Sequence, residues 1–181
     1  MKITYEELPV FESADGRVRF RPANGGDIDF IVSTRNSPFV MKRFVYREKF
    51  TAGSQKRWMD EKVYTCQVIQ YIFGRGEERA GCAWLTPLDD GSGRAEYGVF
   101  MDERYAGCGF GTEACRGMTA LAVSLGFSGC ISRVIADNTA SIRMLEKNGY
   151  RMTKSFTQKT FPGDEEIEMV VMEYSAPDPC K

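Results

Sequence analysis

The stretch Ala106-Gly107-Cys108-Gly109-Phe110-Gly111-Thr112 sets three glycines at alternate positions, soon after the strand-like run Arg94–Met101 and directly before a helical pattern. That pattern places Ala114, Met118, Leu121, Ala122 and Leu125 on one face, the stripe of a helix packed on a sheet. A strand that passes into a helix through glycines offers converging main-chain N–H groups at the positive end of the helix dipole. Glycine also allows positive φ and close approach of a ligand. Such a turn suits a phosphate, although glycines make tight turns that hold nothing as well. A Walker loop does not fit, because Thr112-Glu113 follows Gly111 where Lys-Ser/Thr is required. A dinucleotide fingerprint lacks its third glycine, at Thr112, and its upstream βαβ order.

Working outward, alternation predicts strands at Val18–Pro22, Tyr64–Phe73, Ala80–Leu85 and Arg94–Met101, the last three joined by Gly74-Arg75-Gly76 and Asp89–Gly93 as antiparallel hairpins. Asp27 is expected to cap a helix reaching Arg35 with Ile28, Ile31 and Val32 on one face, and a second helix runs from Thr51 to Lys62 carrying Trp58. Between them, residues 36–50 hold Phe39, Val40, Met41, Phe44, Val45, Tyr46 and Phe50 without clean periodicity, too apolar for a plain solvated loop. Downstream lie a strand at Ile131–Ala136 and a helix from Thr139 to Lys147, stopped by Asn148-Gly149. Strands Tyr150–Thr160 and Glu166–Tyr174 then flank Pro162-Gly163-Asp164. The order predicts an α+β (mixed α/β) fold.

The 181 residues fit one domain, with a polar N-terminal arm, a core over about residues 17–175 and a short tail. A net charge of −1 with acids and bases interspersed argues against nucleic acid or an anionic membrane as partner. The N-terminus Met1-Lys2-Ile3-Thr4-Tyr5-Glu6-Glu7 does not resemble a secretory leader and no run is long enough to span a membrane, so a cytoplasmic protein is expected. The cysteines at 66, 82, 108, 115, 130 and 180 form no C-x-x-C pair and are expected as buried free thiols. The chain contains no histidine, which removes His-based triads and imidazole bases. No metal is expected; assembly is left open, a homodimer included.

The turn, with Asn138-Thr139-Ala140-Ser141 beginning 29 residues beyond Gly109 and with Gly149-Tyr150 after it, resembles the GNAT superfamily of N-acetyltransferases, whose signature is Gln/Arg-x-x-Gly-x-Gly/Ala followed by an Asn-x-x-Ser segment. Arg19-Phe20-Arg21-Pro22, Asp27 and Arg35-Asn36-Ser37-Pro38 are similar to the opening of its ribosomal-protein acetyltransferase branch. The first signature position is Ala106, which lends no side chain to a pyrophosphate.

The resemblance implies a GNAT-like domain with six to seven strands and about four helices, and acetyl-CoA as co-substrate. Gly107, Cys108, Gly109, Phe110, Gly111 and Thr112 would hold its pyrophosphate, Asn138 its pantetheine arm, and the main chain of Val99, Phe100 and Met101 the acyl carbonyl. Ser141 is the candidate proton donor to the leaving thiolate; where many members carry a tyrosine acid, this chain has Leu145. Glu96 is the candidate base. The acceptor would be a primary amine on a protein N-terminus or small molecule, or alternatively a nucleotide-linked amino sugar or a polyamine. Residues 36–50, the helix with Trp58 and the final hairpin are expected to bound it. A CoA-binding sensor without turnover is the alternative from another class.

Overall fold

A computed structural model describes residues 3–177. Its single mixed sheet has the order β1-β2-β3-β4-β5-β6-β8-β7, with strands β1 (Phe11–Glu12), β2 (Arg19–Pro22), β3 (Ile69–Arg75), β4 (Glu78–Pro87), β5 (Ala95–Met101), β6 (Gly129–Ile135), β7 (Arg151–Lys159) and β8 (Glu166–Ser175). Neighbours are antiparallel except β5 and β6. The eighth strand comes from the N-terminal arm, where Phe11 stacks on Phe20 at 4.6 Å between ring centroids. Residues 64–68 turn instead of extending, with Cys66 at φ 54°, so β3 starts at Ile69.

Five helices cover the two faces: α1 (Ile28–Arg35), α2 (Pro38–Met41), α3 (Ala52–Trp58), α4 (Phe110–Ser124) and α5 (Thr139–Lys147). One face buries Tyr71, Ala83, Leu85 and Tyr97 under the α4 stripe of Ala114, Met118, Leu121 and Ala122, with Leu145 of α5 beside them. On the other, Ile72, Cys82 and Phe100 pack against Ile31, Val40, Met59 and Val63. Alternation along each strand assigns its side chains to the two faces, and both are apolar because both are covered.

Asp27 stands at the N-cap position of α1 but makes no side-chain cap. Its carboxylate instead accepts both Arg21 guanidinium N–H groups at 2.6 and 2.7 Å, lies 2.9 Å from Arg79 Nε, and accepts the Asn24 amide. A fully buried carboxylate with charged donors in reach takes them in preference to a helix amide. Burial pushes its pKa up, but Arg21, the Asn24 amide and the Arg79 charge outweigh that and leave it lowered. Cys82, Cys115 and Cys130 are buried, as expected of free thiols, whereas Cys66 is half-buried, Cys108 is exposed, and Cys180 lies outside the described residues.

Candidate active site

Strands β5 and β6 pair only at Ala95↔Cys130 and Glu96↔Ile131 and then part. Asp102 N–H donates to Ala80 O, and Arg94 O accepts from Leu88 N–H. In an antiparallel ladder the main-chain groups alternate in direction, so residues 94, 96, 98, 100 and 102 turn theirs to β4, while 95, 97, 99 and 101 turn theirs toward β6. Beyond the last β6 pair, the amides of Val99 and Met101 therefore face the gap. The expectation for Phe100 is corrected: its amide is directed at β4, and its side chain is core.

The glycine turn lies at the end of β5. Gly107 and Gly109 have φ of 76° and 85°, the left-handed region that favours glycine, and a Cβ built on either meets nothing within 4 Å. Gly109 is the N-cap of α4 without a side-chain cap, so the first helical amides of Phe110, Gly111 and Thr112 lack a side-chain partner beside open space. Gly111 is needed for another reason. An added Cβ there would sit 2.7 Å from Met101 Cε and 3.2 Å from Met144 Sδ, so β5, α4 and α5 meet at this residue. Asn148 reinforces the junction by donating Nδ2–H to the carbonyls of Thr112 and Met144. Cys108 is exposed, its Sγ 3.7 Å from Ala106 O.

Asn138 caps α5, its Oδ1 accepting Ser141 N–H at 3.4 Å. Ser141 is half-buried, and its hydroxyl makes no hydrogen bond among the described residues. Leu145, where many family members carry tyrosine, is buried core.

Glu96 lies on the α1–α3 side of the sheet, where its Oε2 accepts Arg133 Nη1 at 2.5 Å. Gly98 and Phe100 follow it on that face at about 7 Å steps. Trp84, opposite Gly98 on β4, lies across it: a Cβ on Gly98 would be 2.2 Å from Trp84 Cζ2. Phe44 stacks on Trp84 at 6.3 Å and meets Phe100 edge-on at 6.4 Å. No periodicity marks Trp84; the Gly98 opposite it was the available signal.

Arg35 and Asn36 order the 36–50 segment. The Arg35 guanidinium lies 3.9 Å from the Phe44 ring centroid and donates to Tyr46 O at 2.6 Å. The residue is 3% exposed, and burial without a carboxylate partner lowers its pKa to about 10. Asn36 donates to Phe50 O and accepts from Phe50 N–H, both at 2.8 Å. Arg43 to Asp137 at 2.8 Å ties the segment to the end of β6. Val45 and Arg47 pair with Phe161 main chain, joining the segment to the β7–β8 connection. Two expected boundaries thus come together, residues 36–50 and the final hairpin. Trp58 does not join them: it is 44% exposed and stacks on no ring among the described residues.

The model of the acetyltransferase (GNAT) domain matches residues 17–151. The chain belongs to this family. No curated protein sequence matches. Among solved structures, the GNAT chain resembles a Vibrio cholerae spermidine N-acetyltransferase in complex with CoA and spermine, with TM-score 0.80 at 13% identity over 88% of this chain and 95% of that one. It also resembles a Brucella melitensis ribosomal-protein-alanine N-acetyltransferase, with TM-score 0.77 at 15% over 87% and 99%. A third is a Salmonella typhimurium protein solved with its cofactor acetyl-CoA, with TM-score 0.76 at 17% over 91% and 99%. At such identities the likeness establishes the fold, and the enzyme class, acyltransferase, follows from the family. No described helix is long and apolar enough to cross a membrane.

Proposed function

We propose that this GNAT enzyme transfers the acetyl group of acetyl-CoA directly to a primary amine of a protein N-terminus or small molecule. One observation carries the reading: the gap between β5 and β6 opens beside an uncapped, glycine-lined helix N-terminus. The residues present fit the cofactor. Space where Gly107 and Gly109 lack a Cβ, facing the amides that open α4, suits a pyrophosphate held by main chain and helix dipole. The amides of Val99 and Met101 polarise the acyl carbonyl, a role in which losing one donor typically costs about 10²–10³ in rate.

Acetyl-CoA supplies an acetyl group activated as a thioester. An acceptor that arrives as an ammonium gives up one proton before attack; the free amine then forms the new C–N bond as the C–S bond breaks, and a second proton leaves nitrogen as the leaving thiolate gains one. Glu96 takes the first proton through water, since an amine of pKa about 10 is a demanding partner for a carboxylate and Arg133 already occupies one of its oxygens. Ser141, whose amide is fixed by Asn138 and whose hydroxyl makes no hydrogen bond among the described residues, gives the thiolate its proton. A cytoplasmic setting, where free thiols such as Cys108 stay reduced, suits this chemistry.

Purified protein mixed with acetyl-CoA and an amine panel should release free thiol only when acceptor is present. CoA binding without acceptor-dependent release would make the chain a sensor and overturn the reading. Glu96→Gln should lower kcat about 10²-fold with KM for acetyl-CoA unchanged; an unaltered pH-rate profile would remove Glu96 as base.

A further inference from the structure

Acetyl-CoA is long, and the two ends of its proposed site stand on different helices. The amides that suit the pyrophosphate open α4, while Ser141, the donor to the thiolate, lies in the first turn of α5. Transfer needs both ends held at once, so the placement of α5 on α4 decides where the thioester falls in the gap.

Three contacts set that placement. Tyr150, just beyond α5, shares a buried hydrogen bond of 2.8 Å with Thr119 Oγ1 of α4. Met144 Sδ would lie 3.2 Å from a Cβ on Gly111, but a methionine tip is adaptable and fixes no direction. Asn148, the C-cap of α5, donates Nδ2–H to Thr112 O at 3.2 Å and to Met144 O at 2.9 Å. Among the described residues no other hydrogen bond joins the first turn of α4 to α5. Thr112 and Thr119 stand two helical turns apart, about 10 Å, so the two hydrogen bonds together fix the direction of α5, whereas the Tyr150 bond alone is a pivot. Ser141 lies about 10 Å along α5 from Asn148, where a pivot of about 5° is a displacement of about 1 Å. A misplacement of about 1 Å can cost about 10² in rate. Both partners of Asn148 are carbonyls, so its amide nitrogen gives one N–H to each, and an aspartate of the same size has none to give.

Resting on the acetyl-transfer reading, we infer that Asn148 is a positioning residue for acetyl-CoA: by tying α5 to the first turn of α4 it fixes the span between pyrophosphate and thioester. A ligand that bridges the two helices feels this tie, and one that touches either helix alone does not.

The test compares whole and half cofactors in Asn148→Asp and Asn148→Ala. Calorimetry gives Kd for CoA and for its 3′-phospho-ADP half, and thiol release with the fastest amine of the panel gives kcat/KM for acetyl-CoA and for S-acetylpantetheine, which has no pyrophosphate. Both variants should weaken CoA and lower kcat/KM for acetyl-CoA about tenfold, with the values for each half within about twofold of wild type. Asn148→Ala brings no charge to the helix end and keeps the comparison readable if Asn148→Asp does not fold. Parallel losses for whole and half cofactors in folded protein, or no loss for CoA and acetyl-CoA, overturn the inference. Selective weakening of CoA in a protein that releases no thiol with any amine would overturn the acetyl-transfer reading and leave the tie between the helices standing.

Discussion

The turn at 106–112 and the wall at 35–50 flank one gap and are built in opposite ways. The turn works with main chain: left-handed glycines, bare amides and open space, held by close packing at Gly111 against Met101 and Met144. The wall works with side chains: a buried guanidinium under Phe44, an amide side chain paired to Phe50, and an indole over Gly98. Main-chain sites tolerate change in neighbouring side chains provided the φ angles persist, while side-chain sites fail when one partner moves. Ligands common to a family can be left to the first kind and variable ones to the second.

That contrast can be broken from either side. The largest effect is expected at Asp27, which anchors β2 and α1 beneath the wall. Asp27→Asn leaves Arg21 and Arg79 facing a neutral group and should cost about 3–5 kcal/mol in denaturant unfolding. Because the folded pKa of Asp27 is lowered, its contribution is complete above the unfolded value near 3.9 and fades as pH falls through the folded one. Wild type should therefore lose more stability than Asp27→Asn on acidification below about pH 4.

Next is Gly109→Glu, which puts a carboxylate into the open space proposed for the pyrophosphate and should weaken CoA binding by about 100-fold in calorimetry while circular dichroism stays native. Unchanged affinity would show that the turn is only structural. Gly98→Ala should displace Trp84 at about 1–3 kcal/mol and raise KM for the acceptor several-fold more than KM for acetyl-CoA. The smallest effect belongs to Asn36→Ala, about 1–2 kcal/mol from two lost hydrogen bonds to Phe50, again felt in acceptor KM. Equal effects on both substrates in these last two variants would dissolve the distinction between turn and wall.

The same contrast explains what the sequence disclosed. Glycine spacing and the α4 stripe are local codes, so the turn, the helix behind it and the alternating strands of the sheet are legible in the sequence. The wall depends on contacts between residues far apart in the chain, such as Arg43 with Asp137, which no local pattern announces. Local pattern likewise does not show that Trp58 is left exposed on its helix while Trp84 packs over Gly98. The sequence groups Phe100 with Val99 and Met101, but its amide turns to β4, because the direction of each amide depends on register, which Asp102 pairing with Ala80 fixes. Asp27 reads as a cap in the sequence, but Arg21 and Arg79 supply stronger partners in the fold. The N-terminal arm, polar overall, gave no sign of the edge strand that Phe11 starts.

The ion pairs Glu96–Arg133, Asp137–Arg43, Glu165–Arg47 and Glu173–Arg94 also bear on how an acceptor arrives. Adjacent opposite charges cancel within a few ångströms, well inside the Debye length of about 8 Å at physiological salt, so the cleft projects little field into solvent. Its amine is then not drawn in from a distance but met by ordinary diffusion. The association rate should therefore change little with ionic strength.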